Sequence, residues 1–363
     1  MTTKLTVITE NTVPGKVGGL CAEHGFSLFL ERPNARLLFD VGPAGIATLN
    51  NAPRLGIDLR SAEALVLSHG HMDHTGGLLA FLRAIGKRIP VFAHPDVFSD
   101  RYSRQGGRIT YAGMPFKREA LEATGADFDL SGEFREIASG IYLSGQIPRR
   151  RAFETGDADL CVKQDGEYTR DPLRDDQSMA VETEDGLALI LGCCHAGLIN
   201  TIDHFQAQLP GRPIHTVIGG THLGFAPAEQ LLETIARLKT LGIKRLGLSH
   251  CTGLQAGARL AQELGDGVAF CTVGYSATLA CAGRIRCRSR SSRESSGISL
   301  SRPCCVTISA APPLPLLACT TPTALSRHDA AWMGRGGVPL DIPRPSRVAI
   351  AVDWPSRRRI APG

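Results

Sequence analysis

Residues 68–78 read Ser-His-Gly-His-Met-Asp-His-Thr-Gly-Gly-Leu, which sets His69, His71, Asp73 and His74 within six consecutive positions. The whole chain has 11 histidines in 363 residues, so three of them in so short a span calls for a cause. Neutral imidazole nitrogens and carboxylate oxygens are the ligands that Zn²⁺ and related divalent ions select. His69 and His71 alternate, so on an extended segment both rings point to one side. Asp73 and His74 follow where the chain turns into a helix, and they point to a neighbouring spot. Two adjacent ligand sets suit a site of one or two metals with an activated water. There Asp73 holds the second ion or accepts the proton of the attacking water. The Gly76-Gly77 pair lets backbone pack closely behind the loop.

Such a loop has to be delivered by rigid elements. The apolar run Ala-Glu-Ala-Leu-Val-Leu before it reads as a buried strand. Thr75 is the expected N-cap, and Gly86 the expected stop, of a helix that follows. Three more histidines end apolar runs: His195 after Leu-Ala-Leu-Ile-Leu-Gly-Cys-Cys, His222 after Thr-Val-Ile-Gly-Gly-Thr, and His250 after Lys-Arg-Leu-Gly-Leu-Ser. Strand, polar loop and helix alternate from the first residues to a last strand around Gly-Val-Ala-Phe-Cys-Thr-Val-Gly-Tyr-Ser, which implies an α/β fold with helix-covered sheets. Strand ends of such a fold share one rim, where ligands bind. His195 is therefore expected to complete the first ion position or bridge, and His250 to complete the second with Asp73 and His74. His222 is expected either as a further ligand or as a contact to substrate. His94 at the end of a strand and Arg149 in Gly-Gln-Ile-Pro-Arg-Arg are weaker candidates for touching substrate, Arg149 by pairing with an anion. His24, His204, His215 and His328 lack ligand-type neighbours and read as ordinary polar positions.

The His-Gly-His-Met-Asp-His run resembles the His-x-His-x-Asp-His signature of the metallo-β-lactamase fold superfamily. Leu-Leu-Phe-Asp-Val-Gly-Pro, residues 37–43, resembles the Asp-x-Gly element that supports the metal loop in that superfamily. The stretches Asp-Asp-Gln-Ser-Met-Ala-Val-Glu-Thr-Glu-Asp-Gly, Gly-Cys-Cys-His-Ala-Gly, Gly-Gly-Thr-His-Leu and Leu-Ser-His-Cys-Thr-Gly are similar, in order, to the subgroup around dihydropterin–ribofuranosylaminobenzene phosphate synthase. That likeness runs from about residue 4 to about residue 280. It implies a four-layer αββα sandwich with Zn²⁺, one ion or two, or with Mg²⁺, Mn²⁺ or Fe²⁺ in its place. It implies a metal-dependent hydrolase acting on an ester, thioester or phosphoester-like small molecule. The alternatives are a dihydropterin-type synthase, which transfers an alkyl group with release of diphosphate, and a non-catalytic binding protein stabilised by metal. The chain departs from the superfamily pattern in lacking a His-Thr-Pro-Gly-His stretch. Where many members carry a bridging Asp it has Gly-Cys-Cys-His, so His195 is expected in place of that carboxylate. Cys193 and Cys194 read more simply as small buried hydrophobes beside the site than as thiolate ligands.

Charge sorts the chain into two parts. After Gly283 there are 13 Arg, no Lys and four acidic residues, whereas the first 283 residues hold 27 basic and 31 acidic ones. The body is mildly acidic, so the net charge of +5 gives no reason to expect a nucleic-acid partner. Residues 1–282 are read as one metallo-β-lactamase-like domain and residues 283–363 as an Arg/Ser/Pro-rich tail, either disordered or, the favoured reading, non-native. No apolar stretch has the length of a membrane span, and the chain opens as a strand rather than as a signal peptide, so a cytoplasmic location is expected. Seven body cysteines without framework spacing fit reduced thiols.

Overall fold

The run before the histidine loop is strand Ala64–Val66, which lies between Ala35–Phe39 and Ile89–Ala93 and is parallel to both. The structure, a computed structural model, describes residues 2–15 and 18–281; the Arg/Ser/Pro-rich tail and His328 lie outside the described residues. The sheet holding Ala64–Val66 has seven strands, in the order Ser276–Ala280, Thr2–Thr9, Ser27–Arg32, Ala35–Phe39, Ala64–Val66, Ile89–Ala93, Ala126–Leu130. A second seven-stranded sheet runs Val268–Phe270, Arg245–Ser249, Ile214–Gly220, Gly186–Leu191, Met179–Thr183, Ile141–Leu143, Arg135–Ala138. Each sheet has a parallel half, built by crossover helices, and an antiparallel half, built by hairpins. One hairpin pairs Glu31 with Arg36 and turns at Pro33-Asn34, as the sequence suggests.

Three apolar layers hold the sheets and helices together. Leu28, Phe39 and Val66 of the first sheet meet Val181, Ile190 and Ile218 of the second, all buried. Phe81, Leu82 and Ile85 of helix Leu78–Ile85 cover the outer face of the first sheet. Ile199, Phe205, Ile235 and Leu260, from three helices, cover the outer face of the second. Helix, sheet, sheet, helix is the expected αββα order. Burial of the sheets on both faces explains why their strands read as continuous apolar runs rather than alternating ones.

Two local expectations need correction. Thr75 does not cap a helix: it closes a single turn, Met72–Thr75, and its hydroxyl donates to the His71 carbonyl. The main helix begins at Leu78 and ends at Gly86, which is left-handed there. The last strand is not Val268–Phe270 but Ser276–Ala280, which crosses to the first sheet and pairs with Thr2–Thr9. A third sheet, Glu167–Arg170, Leu160–Gln164, Arg101–Gln105, Arg108–Tyr111, has no counterpart in the sequence reading.

Candidate metal centre

The parallel strands of both sheets deliver their carboxyl ends to one rim. Asp40 follows Ala35–Phe39 and His69 follows Ala64–Val66; Cys193, His222 and His250 follow three strands of the second sheet. Four of the six non-glycine residues with positive φ among the described residues lie at these ends: Asp40, Cys194, His222 and His250. Left-handed backbone at such residues is costly and is retained where the surroundings dictate it. Here it turns the chain sharply at the point where a strand releases its functional side chain. The glycines behind the loop act as expected, since a Cβ on Gly76 would collide with the Pro43 carbonyl oxygen.

Two ligand groups result. His69, His71 and His195 pack ring against ring, with centroids 4.6–4.9 Å apart, and His69 Nε2 lies 3.0 Å from His71 Nδ1. Asp73, His74 and His250 form the other: His250 Nε2 is 3.1 Å from Asp73 Oδ2 and 3.3 Å from His74 Nε2. The six residues predicted as ligands thus meet at one place. In three of them the outer ring nitrogen is fixed by a hydrogen bond. His74 Nδ1–H donates to Asp40 Oδ2 at 2.7 Å, His69 Nδ1–H to Ser68 Oγ at 2.8 Å, and His250 Nδ1–H to Asn11 Oδ1 at 2.9 Å. In each of these rings this turns Nε2 toward the centre, the arrangement by which metal-binding histidines are oriented.

The electrostatics fit a cation. Burial drives the imidazoles of His69 and His195 well below their ordinary range and that of His71 to about 3, so these rings are neutral. Burial opposes the charge of Asp73, but His74 and His250 outweigh it and hold the carboxyl well below the usual carboxylate range. Burial likewise opposes the His74 cation, yet Asp73 and Asp40 raise that ring to about 9. Buried His71 Nε2, both ring nitrogens of His195 and His222 Nδ1 have no hydrogen-bond partner. Orphaned buried nitrogens are rare in folded proteins. Three of these four atoms belong to predicted ligands, so the residues present fit a bound divalent ion.

The other candidates divide. His222 sits at the cavity edge, its ring 4.2 Å from that of His195 and its Nε2 3.4 Å from Asp157 Oδ2. Burial opposes its charge, but the Asp157 hydrogen bond outweighs it and lifts His222 to about 9. His94 does not reach the centre; its Nδ1 accepts the Asp96 N–H at the start of a short 3₁₀ turn. Arg149 is not poised for a substrate anion either, because its guanidinium donates to the carbonyls of His195, at 2.6 Å, and Pro172. It braces a ligand instead. His24, read as ordinary, stands against His250 with ring centroids 5.0 Å apart and its Nε2 3.8 Å from Asp73 Oδ2. Nothing adjacent in sequence betrays it, because the contact forms only when strand Ser27–Arg32 pairs into the sheet. His204 and His215 make ordinary hydrogen bonds, to Ser144 O and Thr216 Oγ1.

The cysteines also divide. Cys194 Sγ turns to Thr201 Oγ1 at 3.3 Å, as a small buried side chain should. Cys193 Sγ lies 3.1 Å from His74 Nε2 and close enough to share an ion with either ligand group. Cys193 is buried as expected, but it stands among the candidate ligands rather than away from them.

The Asp-Asp-Gln-Ser segment takes up a bracing role. Asp175 Oδ2 accepts the Gly70 N–H, Gln177 donates to the carbonyls of Leu67 and Ser68, and Asp176 Oδ2 accepts the Ala196 N–H. One short stretch thereby holds both the His69–His74 loop and the His195 turn. Buried Arg101 ties it to the third sheet through Asp171 and Asp175, at 2.8 and 2.7 Å. That sheet walls the cavity above the centre, about 400 Å³ in volume, with Ser103, Gln105, Thr110 and Tyr111. Met72 and Phe225, the latter 61% exposed, add apolar surface, and among the described residues no Lys or Arg lines the cavity.

Comparison with known proteins places this arrangement. The profile of the metallo-beta-lactamase superfamily matches residues 22–250. A 7,8-dihydropterin-6-methyl-4-(β-D-ribofuranosyl)-aminobenzene-5'-phosphate synthase of Methanocaldococcus jannaschii is 33% identical over 245 residues, covering 65% of this chain and 83% of that protein. A second M. jannaschii protein, described only as uncharacterized, is 32% identical over 256 residues, covering 70% of this chain and 93% of it. Among solved structures, Tm1679, a metal-dependent hydrolase of the β-lactamase superfamily, superposes with a TM-score of 0.64 at 28% identity, over 76% of this chain and 98% of that one. From its ligand loop, its two facing sheets and these relatives, the chain belongs to the metallo-β-lactamase superfamily, within the group related to the dihydropterin-type synthase.

Proposed function

We propose that the protein is a metal-dependent hydrolase of a small molecule, with one or two Zn²⁺ ions held by His69, His71 and His195 on one side and Asp73, His74 and His250 on the other. The observation that carries this reading is the set of buried, unpartnered ring nitrogens of His71 and His195 at the floor of an open cavity. A divalent ion held there supplies a water acidic near neutral pH and polarises a carbonyl or phosphoryl oxygen. The chain's own residues then have separate tasks. Asp73, with its charge held so firmly, serves as a ligand rather than as the proton acceptor the sequence also allowed. His222, kept protonated by Asp157, faces the cavity and is placed to give a proton to a leaving group. Tyr111, Met72 and Phe225 offer a flank for an apolar or aromatic part of the substrate. Among the described residues the cavity has no Lys or Arg, so an anionic group of the substrate has the metal side and protonated His222 to face. The seven free thiols among the described residues suit a reducing, cytoplasmic setting, and no described helix is long and apolar enough to cross a membrane.

The test is metal content of the purified chain, followed by activity on a panel of phosphodiesters, thioesters and lactones. Chelator-sensitive turnover that returns with zinc is expected; absence of turnover on all three classes, with metal bound, defeats the hydrolase reading. A second reading is favoured by the 33% identity to a protein named as a synthase. In it a dihydropterin methyl group is joined to a ribofuranosyl-aminobenzene phosphate, and the departing diphosphate is taken by the metal side of the cavity. Product analysis with a pterin diphosphate and the aminobenzene partner separates the two: a joined product supports synthesis, and hydrolysis alone supports the first reading.

A further inference from the structure

We infer that Cys193 is a thiolate ligand shared by the two ion positions, so that sulfur closes this centre where a bridging carboxylate is the superfamily pattern. The inference rests on the metal reading above and deepens it. Cys193 Sγ is within 4.8 Å of the ligand atoms of Asp73, His74 and His250, and equally of those of His69 and His195. Among the described residues no other belongs to both of those groups, although Asp73 also lies within that distance of His69 and His71. The side chain is buried and yet lines the cavity, with His74 Nε2 at 3.1 Å. A cysteine packed merely as a hydrophobe contacts apolar atoms; this one is aimed at imidazoles. Its backbone is fixed between the sheets. Gly192 O accepts the Gly220 N–H at 3.1 Å, and a Cβ on Gly192 would collide with the Ser68 side chain that orients His69. The strand end therefore sits against the histidine loop, and the residue after it falls between the two ligand groups.

On binding, the thiol proton leaves to solvent and two S–metal contacts form in place of the S–H bond. Zn–S bonds are about 2.3 Å against about 2.0–2.2 Å for Zn–O, so sulfur spans two ions without the second oxygen a carboxylate would use. Thiolate also selects among metals. It favours thiophilic ions such as zinc and disfavours Mg²⁺ and Mn²⁺, which prefer oxygen. The inference thus narrows the ion class.

The experiment loads the full-length chain with Co²⁺, counts cobalt by elemental analysis and records the absorption spectrum. Two cobalt ions per chain and a near-ultraviolet thiolate-to-cobalt charge-transfer band are expected. The band is lost in Cys193→Ser and in Cys193→Asp, and Cys193→Asp keeps both ions. It persists in the double variant Cys194→Ser/Cys251→Ser, which removes the two neighbouring thiols and decides the matter even if the Cys193 variants fail to fold. Two bound cobalt ions without the band in the parent, or a band that the double variant abolishes, overturns the inference. No bound cobalt at all overturns the metal reading itself.

Discussion

Replacing Asp40 by Asn turns one buried carboxylate oxygen into an NH₂ group, and every partner of that carboxylate is known. Oδ1 accepts the Ser68 N–H at 2.7 Å; Oδ2 accepts both the Ser68 hydroxyl and His74 Nδ1–H, each at 2.7 Å. Asn can take two orientations. With NH₂ at the Oδ1 position it faces the Ser68 N–H, two donors in contact inside the protein, at a cost of about 1–3 kcal/mol in stability. With NH₂ at the Oδ2 position it must donate to His74 Nδ1, which forces the His74 proton onto Nε2, the nitrogen aimed at Asp73, Cys193 and His250. Loss of such an orienting partner lowers metal affinity by about 10–100-fold, or about 1.4–2.7 kcal/mol. Zinc affinity by chelator competition and the melting temperature of the chelator-treated chain read the two outcomes. Asp40→Asn is expected to lose one or the other, with the cavity residues unchanged. Affinity within about twofold of the parent together with an unshifted Tm would refute the tautomer argument, because the two orientations leave no third choice.

His71→Ala should remove at least one ion per chain and abolish activity, whereas His94→Ala should change neither; full metal occupancy in His71→Ala, by elemental analysis, would sink the assignment. His250→Ala should lower stoichiometry towards one while the far-ultraviolet dichroism is retained, and unchanged stoichiometry would return His250 to an ordinary rim residue. The chelator-treated chain should lose stability with rising pH. The folded-state value for His74 is about 9 against an ordinary 6.5, so its contribution is complete below about 6.5 and fades as pH climbs through about 9. At 1.36 kcal/mol per pKa unit that is about 3 kcal/mol. Unfolding midpoints that stay flat or rise over that window would show that the Asp40–His74–Asp73 charges do not stabilise the fold.

Most of the ligand set could be read from the chain because its chemistry is local or punctuated. His69, His71, Asp73 and His74 are contiguous, and His195 and His250 end apolar runs that can only be buried strands. The helix-covered sheets followed from the same alternation, and the four-layer order from the resemblance to the metallo-β-lactamase superfamily. What escaped was created by pairing across the sequence. His24 meets Asp73 only after hairpin closure, and Arg149 turns to the His195 carbonyl because that carbonyl has no strand partner. The third sheet is hidden because Arg101–Gln105 and Arg108–Tyr111 are mostly half-exposed or exposed, so their polar composition looks like loop. Cys193 illustrates a different limit. Cys193 and Cys194 are equivalent as letters, and only the left-handed turn at Cys194 sends one thiol to the centre and the other to Thr201.

Neither sheet owns a complete ligand group. His69 and His71 hang from the first and His195 from the second; Asp73 and His74 come from the first, His250 and Cys193 from the second. An ion held there is therefore a staple across the seam of the molecule, and its binding energy is available to the native fold but not to the separated halves. At a free ion concentration a thousand times the dissociation constant, each staple adds about 4 kcal/mol, comparable to a small domain's entire margin against unfolding. If the proposed ions bind, their supply would govern how much of this protein survives proteolysis. A cell short of the metal would then lose the protein itself, and a screen for abundance under chelation would detect the seam without any knowledge of the substrate.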